Sequence, residues 1–464
     1  MGFYSTFEEQ LNHKHPLYIL ANQVNWLQFE NAFKDLYCPD NGRPAKPIRL
    51  MVSLLMLKHI RNLSDESVVE QWSENAYYQY FSGEKCFAAR QPCEASELVH
   101  FRKRIGEKGI ELIFKESIRI NGKDGNEDEG TIDTTVQEKN ITYPTDNKLH
   151  RKIIKKCVAI AEKENIELRQ SYTRTLKKLS FDQRFRNHPK NYKKARKADR
   201  KVKTIAGRLV RELERKLPGG LYATELILFQ KVLAQKRNDH NKIYSLHEPH
   251  VQCISKGKEH KKYEFGSKVS ITTTKNSGVI IGAINIEKND YDAHTLDPAL
   301  EQQQRLTGHT LQKAFGDRGY RGIALVRGTQ ICTPKPFSQK LSAYQQQKIK
   351  NGFRRRAAIE PRISHLKSDY RLSRNFYKGI AGDNINVMLS AAAMNFKRMM
   401  NIWKKMFFDF FFWLLQIIQN FLLPQKSLFY LLQRVFKGRL IICAPCKNKI
   451  LLLRQHYAKK NSLL

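Results

Sequence analysis

Apolar residues in the first 120 positions recur at helical spacing. Segment 47–63 places a long apolar run directly after a proline, which suits the first turn of a buried helix. Ser64 then precedes two acidic residues, an arrangement that caps a helix, and we expect this helix to run to Phe81. A third helix is predicted over 96–118. The N-terminal region is therefore predicted to be all-helical.

Strand patterns begin after an acidic, glycine-containing link at 122–130. Several later segments are rich in β-branched and aromatic residues or end in a glycine turn, which is typical of strands. These segments are 131–137, 140–145, 262–274, 278–286 and 309–322. Helical patterns at 295–306 and 341–370 alternate with them, so the centre of the chain is predicted to be α/β or mixed α+β.

A long stretch at about 150–240 has helix composition and an extreme charge. Between positions 151 and 216 there are 23 Lys and Arg against 7 Asp and Glu, a surplus of 16. As a helical insertion, this segment is suited to clamping a DNA backbone without reading its sequence. The alternative is a solvated helical hairpin, which explains such an imbalance poorly.

The whole chain is also strongly basic. Its 464 residues carry 82 Lys and Arg against 44 Asp and Glu, a net charge of +38. Such a surplus favours a polyanionic partner, with nucleic acid ahead of an anionic membrane surface. Arg102, Lys103 and Arg104 on the third predicted helix suit a helix-turn-helix DNA reader. The alternative is a plain helical bundle with a solvated basic face.

Cysteine usage and the two ends of the chain bear on the compartment. The eight cysteines are scattered, as expected of free thiols in a reducing compartment. The first ten residues show no apolar signal region, so we expect a cytoplasmic, nucleoid-associated protein. The tail at 401–464 contains an apolar stretch, 406–423, interrupted by Asp409. We expect a buried or oligomer-forming helix there and regard membrane contact as the weaker alternative.

Three acidic residues stand out by their context. Asp133 lies within a Thr-rich strand, and Asp317 lies where a strand ends among glycines. Glu360 lies on a helix rich in arginine. Two strand aspartates and a helical glutamate provide the oxygen ligands that Mg²⁺ prefers. Taken singly, each acid is more commonly a structural or surface residue.

Motifs around these acids resemble a known family. Phe353-x2-Arg356-x3-Glu360-x6-Lys367 is similar to the Tyr-x2-Arg-x3-Glu-x6-Lys signature of insertion-sequence DDE transposases. The strand TIDTTVQ around Asp133 and the turn FGDRGYRG after it in the chain resemble the first-aspartate and second-aspartate motifs of insertion-sequence family five. The helical segment from Pro47 onward also resembles the first domain of that family. The resemblance covers about residues 1–400.

The resemblance implies an RNase H-like catalytic fold. It makes Asp133, Asp317 and Glu360 a triad for two Mg²⁺ ions, which Mn²⁺ is expected to replace. The two ions would activate the attacking water and stabilise the leaving oxygen. The phosphate-contacting residues expected from the motif and its basic neighbours are Arg356, Lys367, Arg354, Arg355 and Arg362. The departure from the family signature is Phe353, which lacks the tyrosine hydroxyl and so puts one phosphate contact in doubt.

The expected organisation follows from the motifs. A helical DNA-binding domain at 1–121 precedes a catalytic domain at 122–400, which carries the basic insertion; 401–464 forms the tail. The expected function is metal-dependent cleavage at the ends of a mobile element and strand transfer into target DNA. The expected partners are double-stranded DNA, as terminal inverted repeats and target, and a second copy of the chain. The alternatives are an RNase H-like nuclease without strand transfer and a catalytically inactive DNA-binding protein.

Overall fold

A computed structural model describes residues 5–37, 44–236, 238–255, 261–334 and 342–422. The chain divides into two compact units, 1–400 and 401–464. The α-helices of the described residues are α1 (Phe7–Gln10), α2 (Pro16–Gln23), α3 (Trp26–Phe33), α4 (Ile48–Ile60), α5 (Asp65–Glu74), α6 (Ala76–Phe81), α7 (Ala95–Ile120), α8 (Asp146–Lys163), α9 (Thr173–Asp182), α10 (Pro189–Lys216), α11 (Ala223–Ala234), α12 (Leu296–Thr307), α13 (Ala343–Arg354), α14 (Ile359–Asp369) and α15 (Gly379–Leu422). The strands are β1 (Glu129–Lys139), β2 (Gln252–Ser255), β3 (Tyr263–Thr274), β4 (Ile280–Ile286), β5 (Lys313–Phe315), β6 (Leu325–Val326), β7 (Thr329–Cys332) and β8 (Arg374–Asn375).

The N-terminal helices begin where their capping residues predict. Helix α4 starts directly after Pro47, and the Ser64 hydroxyl accepts a hydrogen bond from the Ser67 backbone N–H at 3.0 Å to start α5. The predicted single helix from Asp65 to Phe81 is wrong in one respect. The chain breaks at Asn75, whose side chain accepts from the Tyr78 N–H at 3.1 Å and caps α6. A second capping residue therefore divides what the apolar spacing alone joins.

One residue of the predicted DNA reader lies inside the helical region. The guanidinium of Arg102 is buried and donates two hydrogen bonds to the Asp65 carboxylate, at 2.7 and 2.9 Å. Lys58 donates to the same carboxylate at 2.8 Å. The prediction of DNA contact by Arg102 is therefore wrong, because its charge is already balanced within the core. Lys103 and Arg104 are exposed.

The sheet is mixed, with β1 at its centre. Strand β3 pairs with β1 antiparallel, and β4 pairs with β3 antiparallel. On the other side β5 is parallel to β1, and β7 is parallel to β5. Short strands β2, β6 and β8 complete the sheet. This mixed α+β architecture, with a helical N-terminal region before it, confirms the predicted fold class and is consistent with an RNase H-like fold.

The helical insertion leaves the sheet after β1 and returns at β2. Helices α8 to α11 confirm the helix predicted at about 150–240, and they share a hydrophobic core of their own, with Ile153, Val202 and Leu209 fully buried. The strand predicted at 140–145 is wrong. Pro144 has no N–H to offer a neighbouring strand, and the side chain of Thr145 accepts from the Lys148 N–H to cap α8.

Two further predicted helices differ in outcome. The helix predicted at 295–306 is confirmed as α12. The long helix predicted at 341–370 is interrupted between α13 and α14 by a short 3-10 helix, Arg355–Ala358. Pro361 lacks an N–H to bond to the carbonyl four residues earlier and restricts the residue before it, which accounts for the break at this point.

The C-terminal part of the described chain is helical. Helix α15 runs from Gly379 to Leu422 and so includes most of the apolar segment predicted at 406–423. None of the helices within the described ranges is long and apolar enough to cross a membrane. The remainder of the predicted tail, 423–464, lies outside the described residues. The predicted domain boundaries at 121/122 and 400/401 stay predictions.

Candidate active site

The sheet register brings two of the three predicted acids together. In the parallel pair β1–β5, Gly130 pairs with Ala314 and Thr131 with Phe315. Two residues further along stand Asp133, on β1, and Asp317, just beyond the end of β5, where its backbone is still extended. Continuing the register in extended backbone puts the two residues at matching positions on the same side. Neighbouring strands are separated by about 4.8 Å. Both side chains are half-buried. The pairing of β1 with β5 therefore places Asp133 and Asp317 side by side.

A further carboxylate, Asp292, which is not predicted from the sequence, lies next to this pair. One oxygen of Asp292, Oδ1, accepts hydrogen bonds from the Thr134 hydroxyl and the Lys268 ammonium, each at 3.0 Å. The other oxygen faces Gly319, where an added methyl group would lie 2.9 Å from Asp292 Oδ2 and 2.9 Å from Asp317 Oδ1. Asp292 and Asp317 thus flank the same glycine. Asp292 begins a 3-10 helix before α12, so in sequence it looks like an ordinary helix-start residue.

The turn after Asp317 is built around that aspartate. The Gly319 backbone N–H donates to Asp317 Oδ1 at 2.7 Å and fixes the orientation of the carboxylate. Tyr320 follows and is buried. Burial raises the pKa of its hydroxyl well above the ordinary value, and the charges of Asp133, Asp292 and Asp317 raise it further. The same three carboxylates therefore create one negative region around Tyr320.

The third predicted acid lies on α14, beyond the arginine of the same motif. Arg356 Nη2 is 3.8 Å from Asp133 Oδ2, and the two side chains are only 19% and 17% exposed. Arg356 lies in the 3-10 helix Arg355–Ala358, and Glu360, four residues later, is the second residue of α14. The Glu360 side chain is exposed. The 3-10 helix thus brings Arg356 to Asp133, and Glu360 follows in the first turn of α14.

The carboxylates of Asp133, Asp317 and Glu360 are suitable ligands for a hard divalent cation. In this structure, however, the three carboxylates do not surround a single metal position. Within the described ranges, no group of three His, Cys, Asp or Glu side chains stands close enough to hold a metal ion. The guanidinium of Arg356 lies beside Asp133 instead and balances its charge. The paired carboxylates of Asp133 and Asp317 are the oxygen donors that Mg²⁺ prefers. Closure by Glu360 requires movement of its side chain.

The other predicted phosphate contacts differ in accessibility. Arg354 and Arg355 are exposed, and Lys367 is half-buried. Arg362 packs over the β3–β4 turn, where a methyl group added to Gly278 would fall within 2.0 Å of its guanidinium carbon. Burial lowers the pKa of Arg362, and the charge of Arg398 lowers it further. A DNA contact by Arg362 would require this packing to open.

Phe353, which stands where the family signature has tyrosine, has a packing role. Its ring meets the ring of Phe315 edge-on, with centroids 5.5 Å apart. Phe315 is the last residue of β5, two positions before Asp317. The apolar side chain therefore attaches the end of α13 to the strand that carries the second aspartate.

Asp133 on β1 and Asp317 just after β5, flanked by a third carboxylate and an arginine, are consistent with the class of RNase H-like enzymes. Comparison with known families narrows this class. Residues 5–104 match the family described as "Transposase domain (DUF772)", and residues 242–396 match the "Transposase DDE domain". The chain belongs to the DDE transposases. The second match contains Asp317 and Glu360, whereas Asp133 and the insertion lie between the two matched ranges.

The chain is also similar to a bacterial protein of unassigned function. The chain is 41% identical over 187 residues to the "Uncharacterized protein ORF8 in nfe locus" of Rhizobium meliloti, which covers 39% of this chain and 90% of the relative. No solved structure matches the chain.

Replacing Asp292 with asparagine tests whether this carboxylate positions its neighbours. The change keeps the shape but leaves Lys268 without its charge partner, so we expect DNA cleavage to fall by about 10- to 100-fold. We also expect the Mg²⁺ concentration that gives half-maximal thermal stabilisation to rise. Asp297→Asn is the matched control, because Asp297 is an exposed aspartate on the neighbouring α12. Equal behaviour of the two variants would show that Asp292 has no positioning role.

Proposed function

We propose that this chain is the transposase of an insertion sequence similar to family five, cutting DNA at the element ends and joining those ends to target DNA. The observation that supports this most strongly is the side-by-side placement of Asp133 and Asp317, with Arg356 beside Asp133 and Glu360 four residues further on. Paired carboxylates next to an arginine suit phosphoryl transfer, in which negative charge develops on phosphate oxygens.

In this proposal Asp133, Asp317 and Glu360 hold two divalent cations, Mg²⁺ or in its place Mn²⁺. When bound, the two ions activate the attacking oxygen and stabilise the leaving oxygen of an in-line displacement. Arg356 leaves Asp133 and binds the phosphate being attacked. Its Nε atom is buried and has no hydrogen-bond partner among the described residues, so it has a donor to offer.

Basic residues beside the acids hold the DNA in place. Arg354 and Arg355 are exposed on the approach to α14 and are suited to binding phosphates on either side of the cut. Lys367, two turns beyond Glu360, is the further phosphate contact of the motif. Arg362 is packed against the β3–β4 turn, so its proposed phosphate contact requires this packing to open.

The proposed chemistry balances without a covalent protein–DNA bond. Water attacks the phosphodiester at the element end, which breaks the P–O3′ bond and leaves a free 3′-hydroxyl and a 5′-phosphate. The 3′-hydroxyl then attacks a target phosphodiester, forming a new P–O3′ bond and releasing a target 3′-hydroxyl. Both ends must be held together for joining at one target site, so the active complex is proposed to be a homodimer that binds terminal inverted repeats.

A joining assay separates this proposal from its rivals. Purified protein is given a duplex that ends in the element's inverted repeat, either intact or pre-cut with a free 3′-hydroxyl, together with a target plasmid and Mg²⁺ or Mn²⁺. Transposase activity predicts cutting of the intact end and joining of the pre-cut end. Cutting without joining would favour a nuclease, and binding with neither reaction would favour an inactive DNA-binding protein.

The Glu360→Gln variant tests the role of Glu360 in the same cutting and joining assay. The substitution removes one proposed ligand charge with little change in shape, so we expect cutting and joining to fall by roughly 10³-fold with DNA binding retained. Asp369→Asn is the matched control, since Asp369 is an exposed carboxylate at the other end of α14. If both variants retain full activity, Glu360 is not part of the catalytic centre.

A further inference from the structure

Helix α10 has one buried face and one strongly basic face. Its buried side chains include Val202, Ile205 and Leu209, which belong to the core of the insertion. Twelve Lys and Arg stand against three Asp and Glu along its 28 residues. At 100° per residue, six of these basic residues form a row on the side opposite the buried face. The row consists of Lys193, Lys197, Arg200, Arg208, Arg211 and Arg215.

The charges of this row are not neutralised by neighbouring acids. All six side chains are exposed. Ion pairs of the insertion form on other sides of the helices, as between Lys194 and Asp182 or Lys216 and Glu212. None of the six takes part in an ion pair with a carboxylate of the described residues. A row of six like charges in water repels itself, and a polyanion would relieve that repulsion.

The row has the length of a DNA turn. From the first to the last of its members the helix advances 22 residues, or about 33 Å at 1.5 Å per residue. One turn of B-form DNA is about 34 Å long. The charges are spaced by three, four or eight residues, so they project at intervals suited to successive phosphates on either side of a groove. A straight, rigid duplex therefore matches the row better than a compact anion does.

Helix α10 is packed within the insertion, and the insertion is connected to the sheet through β1. The buried face of α10 packs on α8, α9 and α11 through buried side chains, so the helix backbone that carries the row is held in place before any partner binds. The insertion begins after the end of β1, six residues beyond Asp133 and about 20 Å along the strand direction. The insertion that carries α10 is thus connected through the chain to the strand that bears the first aspartate.

We propose that this basic row of α10 is a second DNA-binding surface, which binds the phosphate backbone of about one turn of duplex without reading its sequence. It consists of residues other than the proposed phosphate contacts Arg354 and Arg355. The inference rests on the proposed function only in taking DNA as the partner. The test measures DNA binding in the absence of cleavage. A negative result would therefore contradict the role of α10 and not the proposed catalytic function.

The test measures how the affinity of the full chain for a 30-base-pair duplex of arbitrary sequence depends on salt, in EDTA. Each neutralised phosphate contributes about 0.9 to the slope of log affinity against log salt. The triple variant Arg208→Gln, Arg211→Gln, Arg215→Gln should therefore lower the slope by about 2.7. Between 50 and 200 mM salt its affinity should fall about 40-fold less than that of the wild type.

The matched control replaces three exposed lysines of the insertion that lie on α8 and α11 or just after it, with glutamine at Lys155, Lys231 and Lys236. This triple should keep the wild-type slope. Unchanged melting by circular dichroism confirms that both triples fold. An unchanged slope in the α10 triple, or an equal drop in both triples, overturns the proposal. Loss of binding to phosphatidylserine vesicles with duplex binding retained also overturns it, in favour of a membrane surface.

Discussion

Asp133→Asn is expected to abolish DNA cutting and joining while leaving the fold and DNA binding in place. Asparagine has the same shape but no charge, so it is a poor ligand for Mg²⁺ and leaves Arg356 without its carboxylate partner. We expect activity to fall on the order of 10³-fold or more, as when one member of a cooperating catalytic set is removed. The rate is measured with an intact end for cutting and with a pre-cut end for joining.

A readout other than activity keeps this prediction testable. Divalent cations that bind only the folded state raise its melting temperature, so Mn²⁺ should stabilise the wild type and stabilise the Asp133→Asn variant much less. Asp128→Asn is the matched control, because Asp128 is exposed and lies just before the same strand. Full activity of Asp133→Asn, or equal stabilisation of all three proteins by Mn²⁺, would contradict a metal-binding role for Asp133.

Asp65→Ala is expected to cause the largest loss of stability in the helical region. It would leave the charges of Lys58 and Arg102 buried without a carboxylate, since their side chains are only 4% and 7% exposed. Removing one partner of a buried ion pair costs about 3–5 kcal/mol. The change is measured as the shift of the urea midpoint. Glu70→Ala is the control, because Glu70 is an exposed acid on the same helix α5.

The same carboxylate predicts a pH dependence. Burial alone would raise the pKa of Asp65, but hydrogen bonds and charges from Arg102 and Lys58 outweigh it and the pKa is lowered. A lowered pKa means that the unfolded state takes up the proton first as pH falls. The stabilising contribution of the ionised Asp65 carboxylate is therefore complete well above about pH 4, which is close to the ordinary aspartate pKa. It is lost as the pH falls through the lowered pKa of Asp65 in the folded state. Acid unfolding that is identical in wild type and Asp65→Ala would contradict this role.

Local sequence was a good guide to where elements begin. Ser64 and Pro47 mark the starts of their helices because a cap or a proline satisfies local geometry whatever the rest of the chain does. Local sequence was a poor guide where the same residue type occurs in two different structural environments. The segment 140–145 is β-rich in composition, yet Thr145 caps a helix instead. Likewise Arg102 has the charge of a DNA contact and the environment of a core residue.

The candidate site was only partly visible in sequence. Asp133, Asp317 and Glu360 were found because their motifs resemble those of a family, and their roles remain proposals. Asp292 was missed, because its importance depends on Thr134 and Lys268, which lie far from it in the chain. Helix spacing and strand alternation report only local neighbours. A contact between distant segments leaves no such periodic signal.

By itself the sequence determined most of the main helices and strands, the basic character of α10 and the order of the acidic motifs, because these depend on neighbouring residues and on charge. Tertiary structure alone decided that Asp133 lies beside Asp317, since this follows from the parallel register of β1 with β5. It also decided which basic residues face water, through burial. Strand pairing and side-chain packing bring together residues that are far apart in the sequence, and the candidate site is formed by such contacts.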